Sequence, residues 1–163
     1  MNNKGCFGIG TVGLIILILT FVLGIWAYTT YNSMIKSNNA VQKNWANVET
    51  VYQKRANLIP NLANTVKAYT KYEEETLTKV IEARSKATQI TIDPTNMTEA
   101  DLAKFQAAQG EVSGALSRLM AVVENYPNLK ADQQFIDFQK EYTAIENSLR
   151  TETVRYNESV ENF

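Results

Sequence analysis

An uncharged apolar run of twenty residues, from Ile9 to Tyr28, limits what this chain can fold into more than any other feature. A helix rises about 1.5 Å per residue, so the run spans roughly 30 Å, the thickness of the hydrocarbon core of a bilayer. Residues 29–163 hold nearly every charge of the chain. The sequence therefore predicts a single membrane anchor that carries a soluble domain.

A cleaved signal peptide is the alternative interpretation of this run. Signal peptides have apolar cores of about 7 to 15 residues that end at a cleavage site of small side chains. Here the run is longer and ends with the bulky Trp26 and Tyr28. Together with Tyr31, these aromatic residues are typical of the headgroup level of a membrane. We therefore expect an uncleaved anchor.

The charges that flank the anchor differ little between its two sides. Lys4 and the amino terminus lie on one side, and Lys36 and Lys43 lie on the other. Because the side richer in Lys and Arg is normally cytoplasmic, this small difference favours a cytoplasmic soluble domain.

Helical periodicity organises the rest of the chain. Apolar residues recur at alternating three- and four-residue spacing, which is typical of a helix with one buried stripe. The pattern occupies four stretches: 41–59, 62–87, 102–126 and 135–160. Five polar residues fall on these stripes, namely Arg55, Glu73, Arg84, Gln109 and Glu152. Trp45 lies on the first stripe, and we expect it to be a core anchor of that helix.

Local signals mark the helix ends. Pro60 disfavours a helical conformation in the residue before it and suits the first turn of a new helix. Thr98 and Asp101 form a capping motif for the third stretch. The sequence therefore predicts an all-α fold, with a transmembrane helix followed by an antiparallel up-and-down four-helix bundle. Residues 1–30 form the N-terminus and anchor, and residues 31–163 form the bundle domain.

The alternative architecture keeps Pro60 as a kink inside one continuous helix from the membrane to Ala87. That helix would be about twice as long as the third and fourth, which would leave half of its stripe without a partner. We therefore favour a hairpin at Pro60. This hairpin places Arg84 and Glu152 within about 5 Å of the same level, so we expect the two side chains to pair or to share a polar network.

Several unusual strings of residues follow one another along the domain. The earlier strings are Trp45-Ala46-Asn47-Val48, Lys54-Arg55-Ala56-Asn57-Leu58-Ile59-Pro60-Asn61-Leu62, Thr65-Val66-Lys67-Ala68-Tyr69 and Ala83-Arg84. The later strings are Tyr126-Pro127-Asn128-Leu129-Lys130-Ala131, Glu146-Asn147 and Tyr156-Asn157. Together they closely resemble the LemA family of bacterial membrane proteins, from about Tyr31 to Asn157.

The resemblance implies a single-pass anchor in the inner membrane and a helical bundle. It implies little about chemistry, because the molecular function of the family is unsettled. The usual topology of the family has the short N-terminus outside, which implies a cytoplasmic domain. Two arginines that the family pattern tends to have near the end are replaced here by Ser148 and Thr153, so their role does not carry over. Family members usually continue past the position of Phe163, and we expect this sequence to be part of a longer protein.

The composition argues against an enzyme and against a cofactor. The chain has no histidine, so it lacks the commonest general base, the commonest zinc ligand and the Glu-x-x-His motif of di-iron bundles. The acidic run from Glu73 to Glu75 offers paired carboxylates, but such runs are usually the solvated face of a helix. Of the 16 basic residues only Lys4 precedes the anchor, so the rest of the chain has 15 basic and 17 acidic residues. This small net negative charge disfavours nucleic-acid binding.

Two functions fit these observations. The first is a non-enzymatic membrane scaffold that forms homo-oligomers, with Gly10, Gly13 and Gly24 permitting close packing of anchors. The second is a membrane-tethered sensor or adaptor that binds a peptide, a small ligand or a membrane-protein partner such as a protease. In that case the inward polar groups would form the binding site; they are Arg55, Glu73, Gln109 and Glu152.

Overall fold

A computed structural model describes the backbone of residues 5–163 and the side chains of residues 12–163. Over this range the chain is all-α and contains no strand. The helices are α1 (Gly5–Tyr69), α2 (Glu74–Gln89), α3 (Glu99–Val123), α4 (Pro127–Lys130) and α5 (Gln133–Glu161). The all-α class is confirmed, whereas the four-helix bundle with a hairpin at Pro60 is not.

Helix α1 is a single helix of 65 residues, and Pro60 lies inside it. The predicted break at Pro60 is therefore wrong; the helix continues through the proline, as in the alternative architecture, but it ends at Tyr69 and not at Ala87. The chain reverses instead in the short turn between Tyr69 and Glu74. Beyond the proline, Leu62 and Val66 continue the buried stripe of α1, so the second half of the helix is not left without a partner.

The N-terminal part of α1 is the one candidate membrane span among the described residues. It is long and apolar enough to cross a bilayer, and its side chains are not buried against the rest of the protein. This confirms the prediction of one long apolar N-terminal helix. Helix α1 passes through the predicted domain boundary at residue 30 without interruption, so the domain is joined to the apolar segment by continuous helix.

The domain consists of the second half of α1 packed against α5 and α2, with α3 packed against α2. Two hydrogen bonds show that α1 and α5 run antiparallel. Near the anchor, Asn44 Nδ2 donates to the Arg155 carbonyl (3.3 Å); at the far end, the Tyr69 hydroxyl donates to Asp132 Oδ2 (2.7 Å). One end of the domain therefore faces the anchor, and the other end lies far from it.

Side-chain caps begin α3 and α5, and the sequence predicted the first of them. Thr98 Oγ1 accepts from the Asp101 backbone N–H (3.1 Å), and Asp101 in turn accepts from Thr98, so the two residues complete a capping box at the start of α3. Asp132 caps α5 by accepting from the backbone N–H groups of Gln134 and Phe135. Bonds of this kind satisfy backbone donors that a helix leaves free in its first turn.

The core has two clusters along α1. The far cluster is the larger one and includes Ile59, Val66, Leu119 and Phe135. The anchor-side cluster is built around Trp45, Val48, Ile92 and Phe105. Trp45 is 2% exposed and meets Phe105 and Tyr156 edge to face, with ring centroids 5.3 Å apart in each case. Trp45 is therefore a core residue of the domain.

We predict that Trp45→Ala lowers the free energy of unfolding of the domain by about 3–5 kcal/mol, because it removes a large buried aromatic and leaves a cavity. Thermal or urea unfolding in mild detergent, followed by helical circular dichroism, measures the loss. Tyr72→Ala is the control, since Tyr72 is 92% exposed. A Trp45→Ala protein that is as stable as the wild type but no longer self-associates would contradict the core assignment.

Candidate functional site

Arg55 is buried between the two core clusters and is 2% exposed. Its Nη1 donates to Ser113 Oγ (2.8 Å) and to Glu146 Oε1 (3.3 Å). Its Nη2 donates to Gln109 Oε1 (2.7 Å) and to the Gln109 carbonyl (3.1 Å). The guanidinium carbon lies 4.9 Å from the centre of the Tyr52 ring. One side chain of α1 thus binds groups on both α3 and α5.

The charge of Arg55 is balanced by Glu146, which is 37% exposed and therefore keeps contact with water. Two tyrosines border this ion pair. Burial raises the pKa of Tyr52, and it also raises the pKa of Tyr142, with the Glu146 carboxylate adding to both effects. Both phenols therefore stay protonated at neutral pH. Two neutral phenols therefore border the ion pair.

Pro60 explains a second polar contact at the same level. A proline has no N–H, so the carbonyl four residues earlier in the helix loses its usual donor; here that carbonyl belongs to Ala56. Arg84 of α2 supplies the missing donor, since its Nε donates to the Ala56 carbonyl at 2.8 Å. Ala56 is buried, where an unpaired carbonyl costs about 1–3 kcal/mol. Arg84 therefore compensates for Pro60 and ties α2 to α1.

Adjacent residues of α1 thus connect to the other three long helices. Arg55 donates to groups on α3 and α5, and the carbonyl of Ala56 accepts from Arg84 of α2. We call this set the polar layer; its side chains are Arg55, Arg84, Gln109, Ser113 and Glu146. Within the part of the chain that the structure describes, no three His, Cys, Asp or Glu side chains are grouped as metal ligands. The groups of the polar layer bind one another.

The predicted pairing of Arg84 with Glu152 is wrong. Glu152 accepts from Asn47 Nδ2 (3.3 Å) and from Arg155 Nη1 (2.7 Å). Arg84 instead donates to the Ala56 carbonyl. Nine residues of α1 separate these two levels, which is about 13 Å along the helix axis. The error follows from the position of the turn, because heights counted from Pro60 are wrong when the helix continues to Tyr69.

Glu73 lies in the turn before α2 and not in the polar layer. Its Oε1 accepts from the Tyr126 hydroxyl (3.1 Å), and its Oε2 accepts from Thr76 Oγ1 (3.4 Å). The next two residues of the acidic run are exposed, and Glu75 pairs with Lys79 one turn later. Glu73 thus holds the turn against the α3–α4 connection, and the rest of the run faces solvent.

The predicted packing glycines are on the open part of α1. A methyl group added at Gly13 or Gly24 would meet nothing within 4 Å, so both backbones are accessible to another helix. Gly10 lies outside the residues whose side-chain surroundings are described. Two members of the polar layer, Ser113 and Glu146, were not predicted. Both lie one position beside an apolar stripe. The need of a buried Arg55 for an anionic partner is a signal for Glu146 alone, and the periodicity gives none for Ser113.

Comparison with known proteins gives two matches. Residues 44–163 match the LemA family. Protein LemA from Metamycoplasma hominis is 25% identical over 146 residues, covering 87% of this chain and 63% of the relative. This chain therefore spans less than two thirds of the length of that relative. The matched family region contains all five side chains of the polar layer.

We predict that the effect of Arg84→Met depends on residue 60. In the wild type this change leaves the Ala56 carbonyl without a donor, so it should cost about 1–3 kcal/mol of unfolding free energy. In a Pro60→Ala background, the restored N–H of residue 60 can donate to that carbonyl, so the cost should be smaller. A double-mutant cycle by chemical denaturation measures the difference. Equal costs in both backgrounds would contradict the compensation.

We also predict that Glu146→Gln destabilises the domain by about 1.5–3 kcal/mol, because it removes a charged hydrogen-bond partner from a buried guanidinium. Glu152→Gln is the matched control, since its partner Arg155 is exposed; exposed pairs contribute about 0–1 kcal/mol. Unfolding curves of the two variants, recorded side by side, provide the measurement. A larger loss for Glu152→Gln would show that the Arg55 ion pair is not the stronger of the two.

Proposed function

This chain belongs to the LemA family, and on that premise we propose that it is a non-enzymatic scaffold, anchored in the bacterial inner membrane, that self-associates. The proposal places the helical domain in the cytoplasm. It is supported by one observation above all others. The stripe of α1 that the domain core buries continues, at unchanged spacing, through the exposed part of the same helix.

We call this stripe the α1 seam. Its positions alternate by three and four residues, as in coiled coils. The seam is Gly10, Gly13, Leu17, Thr20, Gly24, Ala27, Tyr31, Met34, Asn38, Val41, Trp45, Val48, Tyr52, Arg55, Ile59, Leu62 and Val66. From Trp45 onward it contacts α2, α3 and α5 of the same chain. From Gly13 to Asn38 it is exposed. A second copy that presents the same seam would cover this exposed part.

The residues of the exposed seam suit helix pairing in a membrane. Helices associate in lipid where small residues let backbones approach closely. Within the span, the seam positions Gly13, Thr20, Gly24 and Ala27 are small, and the glycines have open space around them. The opposite face carries large apolar residues that suit contact with lipid. The anchor also confines the copies to two dimensions, so weak lateral contacts suffice for assembly.

The polar layer supports a structural rather than a catalytic role. Both terminal nitrogens of Arg55 are used in contacts between helices, and Arg55 is too deeply buried to meet a substrate. The chain also lacks histidine, the residue that most often acts as a general base at neutral pH. These features favour a domain that holds a shape over one that performs a reaction.

A sensor or adaptor is the second candidate, and one observation favours it. A small cavity of about 90 Å³ lies beside the polar layer, between α1, the end of α2 and α3. Its lining includes Tyr52, Phe105 and Gln109, so it offers aromatic faces and an amide. A small ligand there would contact α1 directly, and α1 leads to the anchor. Ligand-dependent stabilisation of a monomer would favour this function.

We predict that the full chain forms a homo-oligomer, whereas the domain from about Ser37 onward is monomeric or associates weakly. The physical reason is that the shorter chain lacks the exposed seam and the confinement by the membrane. Mass measurement in mild detergent at matched concentration tests this, with crosslinking in native membranes as a second measurement. A monodisperse monomer without crosslinks would rule out the scaffold.

The seam itself is tested by adding bulk to it. Gly24→Leu should weaken the oligomer, because a larger side chain separates the paired backbones. Val22→Phe is the matched control, since residue 22 lies on the opposite face of α1 and the change likewise adds four carbon atoms, here towards lipid. Equal weakening by the two changes would show that the contact does not follow the seam.

A further inference from the structure

Exposed apolar residues do not end with the anchor. Past Tyr28, the residues Tyr31, Met34 and Ile35 of α1 stay uncovered, and Val160 and Phe163 at the end of α5 are also exposed. We call these five residues the anchor-side patch; their exposed fractions lie between 42% and 66%. The patch is continuous along α1 with the apolar surface of the span, and it ends where α5 begins to cover α1.

The register of α1 and α5 fixes the height of this patch above the span. Asn44 lies opposite Arg155, so Phe163, which is eight residues later and two residues past the end of α5, lies near the level of Lys36. Lys36 is eight residues from Tyr28, which is about 12 Å along an unbroken helix. The polar headgroup region adds about 5–8 Å on each side of the hydrocarbon core. The end of α5 therefore lies just beyond the headgroups when α1 stands upright.

A tilt within the usual range closes that gap. Transmembrane helices tilt by up to about 40°, and packed helices lie about 8–10 Å apart. Tilting α1 towards α5 by about 30° lowers the end of α5 by about 6 Å. The α2–α3 connection cannot make the same approach, because Ile92 packs at the level of Trp45, about 25 Å from Tyr28. The α5 side is the side of the domain closest to the membrane.

The charges along this stretch nearly cancel. Lys36, Lys43 and Arg155 face Glu158 and Glu161, an excess of one positive charge, so the attraction of this end of the domain to anionic headgroups is weak. Insertion there depends on apolar side chains, as it does for aromatic residues at a membrane interface. The occupant that this chemistry fits is the lipid interface itself.

We propose that the anchor-side patch faces the headgroup region of the bilayer, with Phe163 inserted at the lipid interface, so that the domain leans on the membrane at the end of α5. The proposal rests on the proposed membrane anchor. It assigns a second lipid contact to this chain and a direction to its tilt, towards α5. It does not depend on whether copies associate.

Fluorescence quenching in vesicles tests this contact. The full chain is placed in phosphatidylcholine vesicles that contain brominated lipid, which quenches only nearby tryptophan. Phe163→Trp in a Trp26→Phe background reports on the patch, and Tyr72→Trp in the same background is the control at the far end of the domain. The Trp26→Phe protein itself gives the baseline emission of the buried Trp45, which is subtracted from both. We expect quenching of the tryptophan at position 163, none at position 72, and no change when salt is raised or phosphatidylglycerol is added.

Each outcome of the quenching experiment either supports or contradicts the proposed lipid contact. Quenching at position 163 that salt does not change supports the proposal. An unquenched tryptophan at position 163, while Trp26 of the wild type is quenched, overturns it; disulfide crosslinks of Phe163→Cys between copies would then assign the patch to self-association. Quenching that disappears in high salt also overturns it, because the contact would be electrostatic. If Trp26 itself is unquenched in the wild type, the anchor and hence the proposed function fail.

Discussion

The structure depends on helix α1 continuing through Pro60. A proline inside a helix costs about 3 kcal/mol or more, through a lost hydrogen bond and a steric clash. Two features offset that cost here. Arg84 supplies a donor to the Ala56 carbonyl that Pro60 leaves free, and the residues beyond the proline, among them Leu62 and Val66, are fully enclosed in the core. Because α1 does not break, contacts with α1 set the positions of the other helices along its axis.

The polar layer fixes the positions of the helices along the axis of α1 more than it adds to the free energy of unfolding. A buried ion pair seldom stabilises a fold relative to apolar residues of the same volume, because desolvation offsets the attraction. It does penalise wrong arrangements. A shift of α1 by one turn would remove Arg55 from Gln109, Ser113 and Glu146 together and leave its charge buried without partners. The layer therefore fixes the vertical register of the helix that leads into the membrane.

The sequence predicted what local rules determine. The apolar stripes of α3 and α5, the capping box of Thr98 and Asp101, and the apolar N-terminal helix follow from periodicity and from side chains a few residues apart. The role of Pro60 could not be read in this way, since the local rule favours a break and the compensating donor, Arg84, lies 24 residues later in the chain. That one error moved every height counted from Pro60 and produced the wrong pairing of Arg84 with Glu152.

The α1 seam also limits how copies can meet. From Trp45 onward the seam is filled by helices of the same chain, so a second copy has access only to the part between the membrane and about Val41. In the proposed assembly the seam contact ends at that level, because α2, α3 and α5 cover the rest of the seam of each α1. The far end of the domain, with the exposed Tyr72, takes no part in that contact. A scaffold of this kind would join its copies through the N-terminal part of α1 and leave the distal surfaces to partners.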